Sequence, residues 1–116
     1  MANPESKENR RVGRRRTLLG ATLVYGANLL TVDCMIRDWS DRGVRIELPT
    51  VVLLPERLWM IEHRMALAHE AKLVWHRGNL AGLELLVSRN LDPPTDPNLR
   101  GLRRIWMEKA PRVKQP

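Results

Sequence analysis

The sequence is poor in aromatic residues and in cysteine. It contains no phenylalanine, one tyrosine, four tryptophans and a single cysteine, Cys34. A lone cysteine excludes an intramolecular disulfide and is typical of a reducing compartment, so we expect a cytoplasmic protein. No apolar run reaches the roughly 18 residues that a transmembrane helix needs, and no membrane span is expected. The length of 116 residues fits one domain.

Positive charge is concentrated at the two ends of the chain. The formal net charge is +7, with six Lys and Arg residues within 7–16 and another six within 99–116. Between residues 17 and 98, eight basic residues stand against ten acidic ones. A uniformly basic surface would favour general nucleic-acid binding, whereas two basic ends on a mildly acidic body indicate a more local interaction.

Residues 1–16 are polar, highly charged and without hydrophobic periodicity, so we interpret them as a flexible basic arm. The apolar run over 17–27 follows three arginines and ends in small residues, which also resembles a secretory signal peptide. Two glycines and a threonine interrupt that run, and a strand pattern continues after it. The segment from Thr17 is therefore better explained as the first strand.

Residues 17–90 show short apolar runs bounded by turn signals. Val32, Cys34 and Ile36 alternate with polar or exposed positions, which is the period of a half-buried strand. The predicted strands cover 17–25, 30–37, 44–48, 57–63, 66–76 and 80–87. Six strands with short connections favour an all-β fold with a C-terminal helix, in which the strands close into a six-stranded antiparallel β-barrel.

Residues 91–116 are predicted to form a proline-rich linker, an amphipathic helix and a basic tail. Three prolines and two aspartates lie within residues 92–97, and apolar residues at spacings of three and four follow them. The spacing predicts a helix over Asn98–Lys109 with Asn98 as its N-cap. Trp106 is expected to anchor this helix on the barrel.

The first candidate binding element is the arginine cluster over Arg10–Arg16, which holds five arginines. A guanidinium group pairs bidentately with phosphate and with the O6/N7 edge of guanine, and it stacks on aromatic bases. A cluster of such groups on an arm is suited to surrounding a compact anion. The competing interpretation is a solvated basic tail that associates with any polyanion.

The second candidate element is the turn over Asp38–Gly43. The carboxylate of Asp38 is suited to accept hydrogen bonds from guanine N1–H and N2–H₂. Ser40 offers a hydroxyl, and Gly43 permits either a positive φ angle or a close backbone approach. The competing interpretation is an ordinary turn stabilised by its own Asp and Ser side chains.

Together the two elements resemble the motifs of the PilZ domain family, whose members are receptors for cyclic di-GMP. That family carries an RxxxR motif, commonly RRxxxR, ahead of the first strand. Arg10, Arg11 and Arg15 match this motif, and Arg10 with Arg14 match it in a shifted register.

The family's second motif, [D/N]xSxxG, is matched in full by Asp38, Ser40 and Gly43. Residues 71–84 are also similar to the family's penultimate hairpin, so the resemblance covers about residues 8–88. It implies a six-stranded antiparallel barrel whose outer face and N-terminal arm hold the dinucleotide.

The resemblance further implies a role for each matching residue. Arg11 and Arg15 would bind guanine edges and phosphates, with Arg10 adding to the clamp. Asp38 and Ser40 would contact guanine from the barrel, and the motif's glycine would keep the turn tight. We expect a receptor or adaptor whose arm becomes ordered when cyclic di-GMP binds and relays the signal to a downstream protein.

Two other functions fit the same sequence. A small RNA- or DNA-binding protein would use both basic ends, but the exposed aromatic set of single-strand binders is not evident. A PilZ-like adaptor that no longer binds nucleotide is the other alternative.

Enzymatic and metal chemistry are not expected. The sequence offers no Ser-His-Asp arrangement and no evident pair of carboxylates for acid–base work. His63, His69, His76 and Cys34 lack the short spacing of metal ligands. His69 is expected at the surface, and Cys34 is expected to be buried and unreactive. No cofactor is expected apart from the nucleotide as ligand.

Overall fold

A computed structural model of the chain describes residues 15–93 and 96–109, with side chains described from Leu18 onward. Six antiparallel strands form a closed barrel, followed by a short 3₁₀-helix at Pro97–Leu99 and one α-helix. The elements are β1 (Arg15–Tyr25), β2 (Leu30–Trp39), β3 (Gly43–Glu47), β4 (Arg57–Glu62), β5 (Leu67–Arg77), β6 (Leu80–Asn90) and α1 (Arg100–Lys109). The predicted fold, an all-β six-stranded barrel with a C-terminal helix, is confirmed.

The strand order around the barrel is β1-β2-β3-β6-β5-β4. Four of the six pairings are hairpins between consecutive strands, whereas β3 with β6 and β1 with β4 join strands that are distant in sequence. The connection from β3 to β4 therefore joins strands that are not neighbours. Its residues Leu48, Val52 and Leu54 pack against the barrel core, while Leu53 is 91% exposed.

The interior of the barrel is filled almost entirely by aliphatic side chains. Along β2, Cys34 and Ile36 are buried and Met35 between them is exposed, as the period-two pattern predicts. The buried residues of this core are Ala21, Leu23, Cys34, Ile36, Val44, Ile46, Leu48, Leu58, Met60, Ala71, Ala81 and Leu83.

A second apolar cluster lies between the outside of the barrel and α1. Val24, Ile61 and Ala68 from β1, β4 and β5 pack there with buried residues of the C-terminal segment, among them Leu102. Trp106 packs against the same cluster, and its indole Nε1 donates a hydrogen bond to the carbonyl of His63 at 2.9 Å. Trp106 thus anchors the helix, as predicted.

The start of the helical region differs from the prediction. Asp96, and not Asn98, is the N-cap, because its carboxylate accepts a hydrogen bond from the backbone N–H of Asn98 at 2.9 Å. The first turn is a 3₁₀-helix, and α1 begins only at Arg100. Within the described part of the chain, no helix has the length and apolar character required to cross a membrane.

Candidate functional site

Five residues on five neighbouring strands lie in one row across the barrel wall. In the backbone register, Arg16 pairs with Asp38, Asp38 with Arg45, Arg45 with Gly82, and Gly82 with Trp75. Because directly paired residues of an antiparallel sheet present their side chains to the same face, Asp38, Arg45 and Trp75 share one face of the wall, and for Arg16 the backbone alone is described. The row therefore connects the end of the arginine cluster in β1 to an aromatic residue in β5.

A cavity of about 370 Å³ lies along this row. Such a volume is at the lower end of the roughly 300–1,000 Å³ that is typical of small-molecule sites. The cavity is open to one side and combines charged, polar and aromatic walls. Its lining residues are Asp38, Trp39, Ser40, Arg42, Gly43, Val44, Arg45, Val74, Trp75, Gly82, Leu83 and Glu84.

Asp38 is the buried acid of this cavity, with only 7% of its surface exposed. Arg45 Nε donates a hydrogen bond to Asp38 Oδ2 at 2.5 Å, and the arginine is more exposed than the carboxylate. A charge is retained in such a place only when a partner compensates for its lost hydration. Because an ionised carboxylate accepts up to about four hydrogen bonds, the bond to Arg45 leaves Asp38 able to accept others.

Ser40 organises the turn between β2 and β3. Its backbone N–H donates to the carbonyl of Gly43 at 2.9 Å, and its hydroxyl donates to the same oxygen at 3.3 Å. The hydroxyl also accepts from the backbone N–H of Arg42 at 3.3 Å. The hydroxyl therefore holds the turn at the rim of the cavity, in the manner of a serine-stabilised turn.

Gly43 is needed at its position for a reason of space. The φ angle of Gly43 is not positive, so of its two possible roles only the close backbone approach applies. A Cβ atom at this position would instead collide with the carbonyl oxygen of Leu83 on β6. The motif's glycine thus permits the close approach of β3 and β6 beside the cavity.

The predicted arginine motif is only partly within the described residues. Arg10, Arg11 and Arg14 lie outside them, and for Arg15 the backbone alone is described. Arg15 is the first residue of β1 and pairs with Trp39, one position beyond Asp38. The chain that leads back to the other arginines therefore enters the barrel directly beside the second motif.

Trp75 and Arg45 are residues of the cavity that the sequence did not single out for function. Trp75 is 38% exposed and lies against Gly82, where a Cβ atom would overlap the indole. The guanidinium of Arg77 stands 5.8 Å from the centre of the Trp75 ring. A glycine in the facing strand is compatible with a large aromatic side chain opposite it. A β-bulge between Leu73 and Trp75 shifts the pairing of β5 with β6, however, so the sequence could not show that Trp75 pairs with Gly82.

His69 is buried, with 3% exposed, and the expectation of a surface histidine is wrong. Its Nδ1 lies 2.6 Å from the hydroxyl of Ser88, and its ring packs edge-on against Trp39 with centres 5.6 Å apart. Burial lowers the pKa of His69 below its ordinary value, which keeps the ring neutral near pH 7. His69 therefore supports the cavity wall from inside the barrel through Trp39.

Cys34 is buried as expected, and burial, with a smaller contribution from Asp33, raises its thiol pKa to about 12. A thiol in this state is a poor nucleophile at neutral pH. Among the residues that the structure describes, no group of three or more His, Cys, Asp or Glu side chains is placed to hold a metal ion.

In comparisons with known proteins, no protein-family model and no curated sequence matches this chain.

Proposed function

We propose that this chain is a cyclic di-GMP receptor of the PilZ type that acts as an adaptor. The nucleotide binds in the cavity beside Asp38 and Ser40, and the arginine cluster closes over it. Arg10, Arg11 and either Arg14 or Arg15 supply the guanidinium groups.

The observation that carries the proposal is the pairing of Arg15 and Arg16 with Trp39 and Asp38. Arg15 and Asp38 are more than twenty positions apart in sequence, and strand pairing brings the backbone of Arg15 beside the Asp38–Gly43 turn, which lines the 370 Å³ cavity. A site that combines a carboxylate with arginines fits a ligand that carries both hydrogen-bond donors and negative charge. Guanine edges and phosphate groups provide that combination in one molecule.

The remaining cavity walls suit the same ligand. Trp75 lines the cavity and offers an indole on which a purine would stack, and base–aromatic stacking contributes about 1–3 kcal/mol per base. Asp38 accepts from the guanine donors, while the hydrogen bond from Arg45 orients the carboxylate. Adenine presents a different pattern of donors and acceptors, so the site should discriminate against it.

Ligand binding acts through the N-terminal arm. Ligand shifts the population toward a state in which the arm is held over the cavity, and this state presents a new surface around β1 and β2. A downstream protein recognises that surface. The function requires no chemical step, and a second messenger of this kind places the protein in the cytoplasm.

Titration calorimetry with cyclic di-GMP, GTP and cyclic di-AMP at one salt concentration tests the proposal. Cyclic di-GMP is expected to bind, and the other two are expected to bind at least tenfold more weakly. Asp38→Ala is expected to weaken binding by about 10- to 100-fold, which corresponds to the roughly 1.5–3 kcal/mol of a hydrogen bond to a charged group.

Two variants serve as controls. Asp41→Ala removes an exposed carboxylate from the same turn and should leave affinity unchanged. Replacing both Arg11 and Arg15 by Ala should abolish binding, whereas Arg100→Ala and Arg104→Ala on α1 should not. Affinity for DNA or RNA that falls steeply with salt, without any preference for cyclic di-GMP, would reject the proposal in favour of nucleic-acid binding. Absence of cyclic di-GMP binding by the wild type would reject it directly.

A further inference from the structure

A chain of hydrogen bonds joins α1 to the barrel on the face that lies away from the cavity. Lys109 Nζ donates to Asp33 Oδ2 at 3.2 Å, and Thr22 Oγ1 donates to Asp33 Oδ1 at 2.9 Å. His63 Nε2 lies 2.7 Å from the same Thr22 oxygen. The carbonyl of His63 accepts from the indole of Trp106, which returns the chain to the helix. We refer to His63, Thr22, Asp33 and Lys109 as the latch.

The latch fixes the hydrogen position on His63. Thr22 has one hydroxyl hydrogen, and the carboxylate of Asp33 is only an acceptor when ionised, so that hydrogen points to Asp33. His63 Nε2 must then carry a hydrogen and donate to Thr22. The neutral ring satisfies the latch with Nε2–H alone, and a second proton would enter at Nδ1, beside Gly20.

Burial and the Lys109 ammonium oppose that second proton, whereas the Asp33 carboxylate favours it. Burial lowers the pKa of His63 from its ordinary value; Asp33 raises it, and the nearby ammonium of Lys109 lowers it further. Glu62 and Arg64 flank the ring in sequence, and the Glu62 carboxylate accepts from the backbone N–H of Arg64 at 2.9 Å. The docked helix therefore disfavours the protonated ring.

The latch holds the helix over a surface that is otherwise apolar. Val24 and Ile61 under the helix are fully buried, and Ala68 beside them is also buried. If the helix moves away, these side chains become exposed and His63 returns to an ordinary environment. Because the open state binds the proton better than the closed state, acid favours opening.

We infer that α1 is an acid-sensitive cover over the outer face of β1, β4 and β5. The latch holds this helix in place, and the helix moves away from the barrel when His63 takes up a proton. The open state presents an apolar surface around Val24, Ile61 and Ala68. This inference is independent of the proposed nucleotide site, which lies on the other side of the barrel.

Amide hydrogen exchange of the full chain, followed between about pH 7.5 and 5 and corrected for intrinsic rates, tests the inference. The opening constant of α1 is expected to rise by up to about tenfold for each pH unit below roughly 6.5, as uptake of one proton requires. Amides of β3 and β6 should change less, which separates opening of the helix from global unfolding.

Three variants sharpen the test. His63→Gln keeps a donor toward Thr22 but does not titrate, so exchange of α1 should lose its acid dependence. Lys109→Met removes a charge that opposes protonation, so the His63 pKa in the closed state moves toward its ordinary value and the acid dependence should become smaller. Arg104→Met removes an exposed cation from the same helix and should have no effect.

An α1 opening constant in the wild type that does not change with pH overturns the inference, and so does an acid dependence that persists in His63→Gln. If His63→Gln does not fold, titration of the His63 ring by NMR in the wild type decides. A His63 pKa at or above the ordinary value of about 6.5 would contradict the inference.

Discussion

Gly43→Ala is the substitution whose effect follows most directly from the geometry. In a backbone conformation that alanine tolerates, replacing glycine stabilises a protein by about 0.4–1 kcal/mol, because the unfolded chain loses freedom. At position 43 the new Cβ would collide with the carbonyl oxygen of Leu83, which is backbone and cannot rotate away. Overpacking of this kind costs about 1–3 kcal/mol. We therefore expect a net loss on the order of 1–2 kcal/mol.

Gly82→Ala is the matched comparison, because its Cβ would meet the side chain of Trp75 and not backbone. The indole is partly exposed and has room to turn, so the loss of stability should stay below that of Gly43→Ala. Urea denaturation, with equal m values for the variants, measures both free energies of unfolding. Gly43→Ala with wild-type stability, or Gly82→Ala as the more damaging variant, would refute the close approach of β3 and β6.

Three further predictions concern buried polar groups. Arg45→Met should lower the free energy of unfolding by about 1–3 kcal/mol, because it leaves the buried Asp38 carboxylate without this partner. Arg37→Met should lower it by no more than about 1 kcal/mol, since the pair of Arg37 with Glu47 is exposed. Equal losses of the two variants in urea denaturation would contradict this. Because burial lowers the pKa of His69 in the folded state, its full contribution to stability is present above the unfolded pKa of about 6.5. The free energy of unfolding should therefore fall as the pH drops below that value. A profile without this decline would argue against a buried neutral ring. Cys34 should react with a thiol reagent at pH 8 only after denaturation, and rapid labelling of the native protein would be the contrary result.

The barrel could be predicted because its strands bury one face. Val32, Cys34 and Ile36 place every second side chain toward the interior, and this alternation predicts the strand and its buried face. The C-terminal helix was predictable for the same reason, from its apolar stripe. Residues at strand ends were less predictable, since pairing with a partner strand, and not hydrophobicity, extends β6 to Asn90.

The candidate site was only half predictable. Asp38, Ser40 and Gly43 form a local motif that the sequence displays, whereas Trp75 and Arg45 join it through strand pairing. Two β-bulges in the β5–β6 hairpin, after Glu70 and after Leu73, shift the register there. Sequence periodicity alone cannot locate such shifts, and for this reason the place of Trp75 in the cavity and the burial of His69 were not predicted.

The order of the strands also has a consequence for how the chain reaches its native state. The pairings β1–β4 and β3–β6 close the barrel, and each joins segments that are separated by more than thirty residues, such as Val24 with Trp59. Hairpins formed early remain open ribbons until both of these long-range contacts are made, and each contact must first overcome the entropy of loop closure. Folding is thus expected on the millisecond-to-second timescale of other β proteins, with both closing pairings formed late.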